Sequence, residues 1–416
     1  MGVARGGIWS GSDGGRPEPR HVGALLETRL RNSPTVPVFL SLAVGGLLPV
    51  RLSRPYLPST EALLLTTAPY CCVLMSVVLY STSSVLFRHL PSVMEARVFM
   101  QLYTRLKCVN AVLTITPILL IPYMWAGFRG LVARAVDFCS YEITHEFLTG
   151  RRLDWSKHVR RNQAVIAAFY ALLMAVFLFS NKILDPEMNC HVPSYACSLH
   201  FQTHISLWYI TWINQIHFAA EDVLQYLAES KEHPCETLRR ARKLWVELRE
   251  LLEMNKTLRA LIFLICGYLF VVATLALYQV IHYGRLGETG TALGQSVIYL
   301  TMFFQIFMFC NETHKCTSTM NKSFTAVLDR FSLKAEDDET RKVINLFYLS
   351  IAANPSKASL AGFMTCDRSL LTSMASATLT YLVVLVQFQT IATGAVNSTS
   401  PYFVNSTPTP QSAYDE

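Results

Sequence analysis

The sequence predicts an all-α membrane protein with seven transmembrane helices. Three observations carry this: low charge content, seven long uncharged apolar runs, and basic residues sorted into alternate segments between those runs. Of 416 residues, 51% are hydrophobic and only 16% charged, and mean hydropathy is +0.30. A soluble chain carries about 25% charge, so one large soluble core, a disordered chain and a disulfide-stapled secreted fold are excluded. The net charge of +7 does not indicate nucleic acid, because the positive residues are partitioned by side of the membrane.

A bilayer span needs roughly 20 mostly apolar residues. Runs free of Lys, Arg, Asp and Glu occupy Ala62 to Phe87, Cys108 to Phe128, Ala164 to Asn181, Leu199 to Ala220, Ala260 to Tyr283, Leu293 to Asn311 and Leu370 to Thr393. Each must be helical, since a lone segment in lipid satisfies its backbone N–H and C=O groups only within itself. Val36 to Val50 is 15 residues long and contains Pro37 and Pro49. It reads as an interfacial or re-entrant segment.

Counting Lys and Arg between spans gives 30 in one alternate set of segments and 6 in the other. Because cytoplasmic loops retain basic residues, the N-terminus is placed inside and the C-terminus outside. A further span at 36–50 would break the alternation. The Gly- and Arg-rich residues 1–35 show no apolar region of the kind a cleavable signal peptide carries. This orientation exposes the sequons at Asn397 and Asn405 to the outside, Asn405 being the better glycosylation candidate because Asn397 adjoins the last span. Cys190 and Cys197 share an outside loop, where an oxidising compartment permits either a local disulfide or two free thiols. Cys310, His314 and Cys316 lack a fourth metal ligand, so no metal and no cofactor is expected.

The inside segments after the second, fourth and sixth spans are 35, 39 and 58 residues long. From Glu236 to Thr257, Leu238, Ala241, Trp245, Leu248 and Leu252 recur at helical spacing among charged residues, which predicts an amphipathic helix running into the fifth span. In the last inside segment Phe324, Val327, Leu328 and Phe331 form one short stripe, and Val343, Leu346, Phe347 and Ile351 another. The acidic patch Glu336 to Glu339 separates them, and Asn354-Pro355-Ser356 stops the second. Packing between subunits, a bundle within one subunit, and helices lying on anionic lipid all fit these rods.

No catalytic pattern is present. Phosphate loops, nucleophile elbows and kinase motifs are absent, and His145-Glu146-Phe147-Leu148-Thr149 lacks the second histidine of a zinc-protease helix. The spans also lack the buried charges of an ion-coupled transporter. A receptor or channel remains, and an enzyme is not expected.

The last span reads Thr380-Tyr381-Leu382-Val383-Val384-Leu385-Val386-Gln387-Phe388, preceded by Ala361-Gly362-Phe363 and Asp367-Arg368-Ser369-Leu370-Leu371. This resembles the signature of insect gustatory receptors: Thr-Tyr, five apolar residues, Gln-Phe. The resemblance implies a plasma-membrane, tastant-gated, non-selective cation channel passing Na, K and Ca ions. It implies a homotetramer, or a heteromer with related receptors. The division it implies is a cytoplasmic tail (1–35), the interfacial segment (36–61), a six-span peripheral ligand-sensing domain (62–311), a cytoplasmic helical anchor (312–369), a pore-lining helix (370–393) and an extracellular tail (394–416).

Within the pore helix Thr380, Val384, Gln387 and Phe388 share one face. In a fourfold pore, Val384 and Phe388 would form a dry constriction and Gln387 would offer a carboxamide to a hydrated cation. The same face also suits plain interhelical packing. Tyr381 is expected to pack against neighbouring helices. The absence of acidic rings at the outer end of this helix predicts weak cation selectivity.

A second stripe, His200, His204, Trp208, Thr211 and Gln215, runs down one face of the fourth span. Tyr278, Gln279 and His282 end the fifth span, and Gln295 and Tyr299 begin the sixth. Uncharged hydrogen-bonding groups beside an indole suit a neutral hydroxylated tastant, a sugar or polyol. Bitter compounds or carbon dioxide are alternatives within the family, and interhelical hydrogen bonding is the alternative for any one residue. A G-protein-coupled receptor is the competing class. The basic-residue split disfavours it, as does the lack of an Asp-Arg-Tyr triplet after the third span.

Overall fold

The computed structural model describes residues 133–183, 192–229, 234–254 and 256–398, with isolated positions and two short strands before them. A helical stretch at 133–149 precedes α1 (Ser156–Ile183), α2 (Val192–Glu229), α3 (Pro234–Leu252), α4 (Lys256–Leu286) and α5 (Thr289–Ser318). After a π-helical turn at Thr319–Ser323 come α6 (Phe324–Lys334), α7 (Asp338–Ala353) and α8 (Arg368–Ser398). Two antiparallel hairpins complete the description, β1 (Leu52–Ser53) with β2 (Leu57–Pro58), and β3 (Ser359–Leu360) with β4 (Met364–Thr365).

The expected third to seventh spans all fall inside helices: α1, α2, α4, α5 and α8 respectively. The runs at 62–87 and 108–128 and the interfacial run at 36–50 lie largely outside the described residues. Three described helical stretches are long and apolar enough to cross a membrane, Lys256–Leu286, Ala292–Lys334 and Arg368–Gln387. The second has 43 residues, about 65 Å at 1.5 Å per residue, twice the hydrocarbon thickness of about 30 Å. Such helices leave the bilayer as rods.

The long rods build a bundle and a basal layer from the same helices. α5 packs along α4 and α2, and α8 lies against α4 and α5. Beyond the spans, α3 packs on the end of α2 and on α7, with α6 beside them. The predicted apolar stripe of α3 is buried there: Leu238, Ala241, Trp245 and Leu248 are at most 1% exposed. From the two later stripes Phe324, Leu328, Val343, Phe347 and Ile351 are buried, while Leu346 remains exposed.

One expectation is corrected here. The amphipathic helix does not run into the fifth span; α3 ends at Leu252 and α4 begins at Lys256. The amide of Met254 bonds back to the Leu252 carbonyl (3.1 Å), closing a tight turn. Leu251, Leu252 and Met254 are all buried at this break, and Asn255, of a residue type that ends and begins helices, directly precedes α4.

The π-turn locks the two layers. A π-turn withdraws carbonyls from the regular ladder, and the Trp245 indole N–H donates to the freed Met320 carbonyl (2.9 Å). Asn321 pairs with the backbone after α7, donating to the Ser356 carbonyl and accepting from the Ser356 amide, both at 2.9 Å. Asp337 caps α7 by accepting from the Thr340 amide (3.0 Å) and hydroxyl (2.9 Å), which gives the acidic patch a local structural use. The hairpin before α8 turns through Ala361 (φ 53°) and Gly362 (φ 85°). They are the central residues of a turn closed by the Phe363 amide on the Leu360 carbonyl (3.1 Å), and both positive angles are what a turn of this hand requires, within a three-residue loop between the paired Leu360 and Met364.

Candidate pore helix and ligand-binding face

α8 begins at a built cap. Asp367 accepts from the amides of Ser369 (2.9 Å) and Leu370 (3.1 Å). Burial pushes its carboxyl up, but these bonds and those from the Ser369 and Thr365 hydroxyls prevail and hold it below the usual range. Arg368 then donates to the Asn311 carboxamide oxygen (2.9 Å), tying the helix start to the end of the sixth span. Higher up, the hydroxyls of Thr274 and Thr378 meet at 3.3 Å.

Leu370, Leu371 and Met374 pack on the core. The rest of the helix is open: in the apolar stretch Arg368–Gln387 none of the best spanning window is buried within the chain. Thr380, Val384 and Gln387 are all exposed. Phe388 belongs to α8, but its side chain lies outside the described residues. Tyr381 was expected to pack against neighbouring helices; within this chain it is 57% exposed, because α4 and α5 cover the opposite side of α8. An open depression runs along the helix past Thr372, Ser373, Ser376 and Thr380.

The stripe on α2 is buried. His204 donates through Nδ1–H to the His200 carbonyl (2.8 Å). The His200 and His204 rings sit 4.1 Å apart, with Tyr170 of α1 at 5.6 and 5.8 Å from them. Trp208 lies parallel to Trp212 at 6.2 Å. Further along, Thr211 accepts from the Asn162 amide (3.0 Å), which also reaches the Pro34 carbonyl (2.9 Å). Gln215 donates to the Ser33 hydroxyl (3.2 Å). The lower half of the stripe is thus engaged with a segment far away in sequence.

Tyr278 stacks on His282 at 6.2 Å, and His282 meets Tyr283 edge-on at 5.6 Å. Gln279 is buried. On α5, Gln295 is half-buried and Tyr299 stacks on Phe303 at 5.9 Å.

Three polar contacts between α2 and α5 escaped sequence reading. Gln202 donates to the Met302 sulfur (3.3 Å), Ser206 to the Gln305 carboxamide oxygen (3.0 Å), and the hydroxyls of Tyr209 and Thr313 pair at 3.0 Å. Their signal was the spacing of Gln202, Ser206 and Tyr209 at four and three residues, a second polar line on a helix whose first line drew attention. Tyr170 carries no such signal, being one of four aromatics in an apolar run.

His145 has a structural task, pairing with Asp222 of α2 at 3.0 Å. Beside it the Tyr141 hydroxyl is pushed up by burial and by the carboxylates of Glu247, Asp222 and Glu142. Cys190 and Asn405 lie outside the described residues, and Cys197 and Asn397 sit in α2 and α8 with side chains outside them.

The family model of the seven-transmembrane chemosensory receptors matches residues 38–391. The chain is 26% identical over 365 residues to gustatory and odorant receptor 24 of Anopheles gambiae, covering 85% of this chain and 77% of that one. Gustatory and odorant receptor 21a of Drosophila melanogaster is 29% identical over 233 residues, 54% of this chain and 50% of that one. The stretch matched to gustatory and odorant receptor 22 of Anopheles gambiae likewise spans about half of that protein, 48%. The insect olfactory receptor OR5 of Machilis hrabei aligns over 88% of this chain and 98% of its own, at 16% identity and a TM-score of 0.40, too low to carry weight. With the family model spanning most of its length, the chain is a multi-pass membrane receptor, not an enzyme, and belongs to the seven-transmembrane chemosensory receptor family.

Proposed function

We propose that the chain is a tastant-gated, non-selective cation channel of the plasma membrane, assembled as a tetramer with four copies of α8 around one pore. The uncovered face of α8 carries the reading. A membrane helix whose spanning window is unburied within its own chain and which presents Thr380, Val384 and Gln387 on one side is unfinished as a monomer. Fourfold assembly supplies the missing contacts and a path for ions. Val384 and Phe388 form the dry gate, Gln387 a hydrated ring above a hydroxyl-bearing lower half. The N-terminus is cytoplasmic, and the basal layer is the cytoplasmic anchor through which subunits meet.

His204, Trp208 and Tyr170 form the core of the ligand site on the outer half of α2, with Tyr278, Gln279, His282, Gln295 and Tyr299 at its rim. Uncharged donors beside an indole support a neutral ligand, a sugar or polyol first. A second reading, a volatile or gaseous ligand such as carbon dioxide, is favoured by the near-complete burial of His200, His204 and Trp208 and by the names of the mosquito and fly relatives. Opening follows from tighter binding to the open state. A shift from 1:99 to 99:1 takes about 5.5 kcal/mol, roughly 1.4 kcal/mol from each of four sites.

The test is whole-cell current in cells expressing only this chain, with G-protein signalling blocked, during application of sugars, bitter compounds and bicarbonate-buffered carbon dioxide. A rapid cation current to any of these supports the channel and identifies the ligand class. Surface-expressed protein that responds only through G proteins refutes it.

A further inference from the structure

The start of α1 carries a cluster of cations that neither the pore nor the ligand face uses. Arg152, Lys157, Arg160 and Arg161 are all exposed. No salt bridge engages them among the described residues, and the Arg160 bond to the Ser156 carbonyl (3.3 Å) uses only its Nε. Their neighbour Arg151 is different, being paired with Glu229 of α2. The nearby carboxylate is Asp154, which is occupied in capping α1 through the Ser156 amide (3.0 Å) and hydroxyl (3.1 Å). On this segment four cations therefore stand against one carboxylate, itself engaged, while Glu142, which reaches it from the preceding helical stretch, is buried and taken by the Trp155 indole. His158, half-buried between them, is held below its usual range by burial and by the positive charge of Arg161, only partly offset by Asp154.

Position turns this charge into a surface of stated chemistry. At 100° per residue Lys157, Arg160 and Arg161 fall within about 100° of the helix circumference. The apolar run begins at Ala164, so the three lie about 10, 6 and 5 Å below it along the axis. The polar headgroup layer on each side of the hydrocarbon is roughly 5–8 Å thick, and long cationic side chains extend along it.

We propose that this face binds anionic phospholipid headgroups of the inner leaflet, fixing the height of α1 in the membrane. The inner-leaflet assignment rests on the inside N-terminus of the proposed function. Asn162 follows Arg161 directly and bonds to Thr211 of α2, so the lipid contact adjoins the junction of α1 with the ligand-bearing helix.

The test measures binding of short-chain fluorescent phosphatidylserine and phosphatidylcholine to the purified full chain. The wild type is expected to prefer phosphatidylserine, in a salt-sensitive manner. Joint replacement of Arg152, Lys157, Arg160 and Arg161 by Gln is expected to remove at least about ten-fold of that preference, each juxtamembrane cation contributing roughly five-fold. Replacing the three arginines by Lys is expected to keep it. Joint replacement of the exposed Lys243, Arg330, Lys334 and Lys342 by Gln removes as much charge from α3, α6 and α7 and is expected to keep it too.

A wild type without preference, or a preference that survives the first variant, overturns the site. So does equally tight binding of soluble glycerophosphoserine, which would make it a soluble-anion site. Labelling of a Lys157→Cys variant by an impermeant maleimide in intact cells, in excess of that of the wild type's own cysteines, would overturn the orientation and the leaflet together. If that excess labelling arises only after permeabilisation while the wild type shows no lipid preference, the lipid site alone is overturned and the orientation stands.

Discussion

The basal layer and α8 are built from similar material and end in opposite states. Both present apolar helical stripes. In the basal layer the stripe of α3 packs against α2 and the stripe of α7, and its residues vanish from solvent. On α8 the corresponding residues, Leu379, Tyr381, Val383 and Val384, are left 40–61% exposed. The difference teaches that the layer beyond the spans is stable by its own contacts, whereas α8 depends on lipid or on other copies of the chain. A helix left so by its own subunit can change its packing without unfolding the rest, which is what a gate requires.

The strongest way to break this comparison is to attack the self-contained side. Trp245 is 1% exposed, meets Phe347 edge-on at 5.9 Å and donates to the Met320 carbonyl. Trp245→Ala is expected to cost about 3–5 kcal/mol, since it opens a cavity and orphans a carbonyl at the π-turn. Thermal unfolding followed by fluorescence-detected size exclusion should show the loss in any oligomeric state. A midpoint close to wild type would mean the basal layer does not hold itself together.

On the α8 side, Phe388→Ala is expected to raise current without ligand about ten-fold, equivalent to about 1.4 kcal/mol in the gating equilibrium. Basal current unchanged at equal surface expression removes Phe388 from the gate.

Much of this contrast was legible from residue spacing, and the reasons are physical. Trp245, Leu248, Phe324 and Phe347 announced themselves because an amphipathic helix in water leaves only one face for burial. α8 could be located but not finished by sequence, because in lipid both faces of a helix are apolar and periodicity no longer separates core from surroundings. The α3 to α4 break at Leu252 is marked in sequence by Asn255 alone, a weak signal against an apolar periodicity that continues on both sides of it. The α2 stripe was seen as one functional unit. Its Thr211 and Gln215 instead meet Asn162 and Ser33, contacts set by a segment that no local pattern links to α2.

The junction between the two regions gives a smaller effect. Asp367→Ala removes the cap of α8 and is expected to cost about 1 kcal/mol, seen as faster hydrogen exchange at Ser369 and Leu370. Because the folded carboxyl is held below its usual value near 3.9, its contribution is complete above that pH and is lost as pH falls through the lower folded value. The variant should therefore differ from wild type at neutral pH and converge with it in strong acid.

A comparable shift tests the ligand face. His204→Ala breaks the bond to the His200 carbonyl and the ring cluster with Tyr170, and is expected to raise the half-maximal ligand concentration about five-fold, for a net bond near 1 kcal/mol. Trp208→Ala should act in the same direction. Ion permeability should stay as in wild type for both. An altered reversal potential would move these residues from the ligand site to the conduction path.

The smallest expected change is also the sharpest against Trp245. Tyr381 is an aromatic of the kind the basal layer buries, yet it is 57% exposed within the chain. Tyr381→Ala should leave the unfolding midpoint of detergent-isolated monomer within about 0.5 kcal/mol of wild type, the range of surface substitutions. If the proposed tetramer forms, the same change should lower the tetramer fraction on cross-linking, because in that assembly the exposed ring meets other copies. If the monomer were destabilised instead, α8 would be packed within its own subunit, and the uncovered face on which the channel rests would not exist.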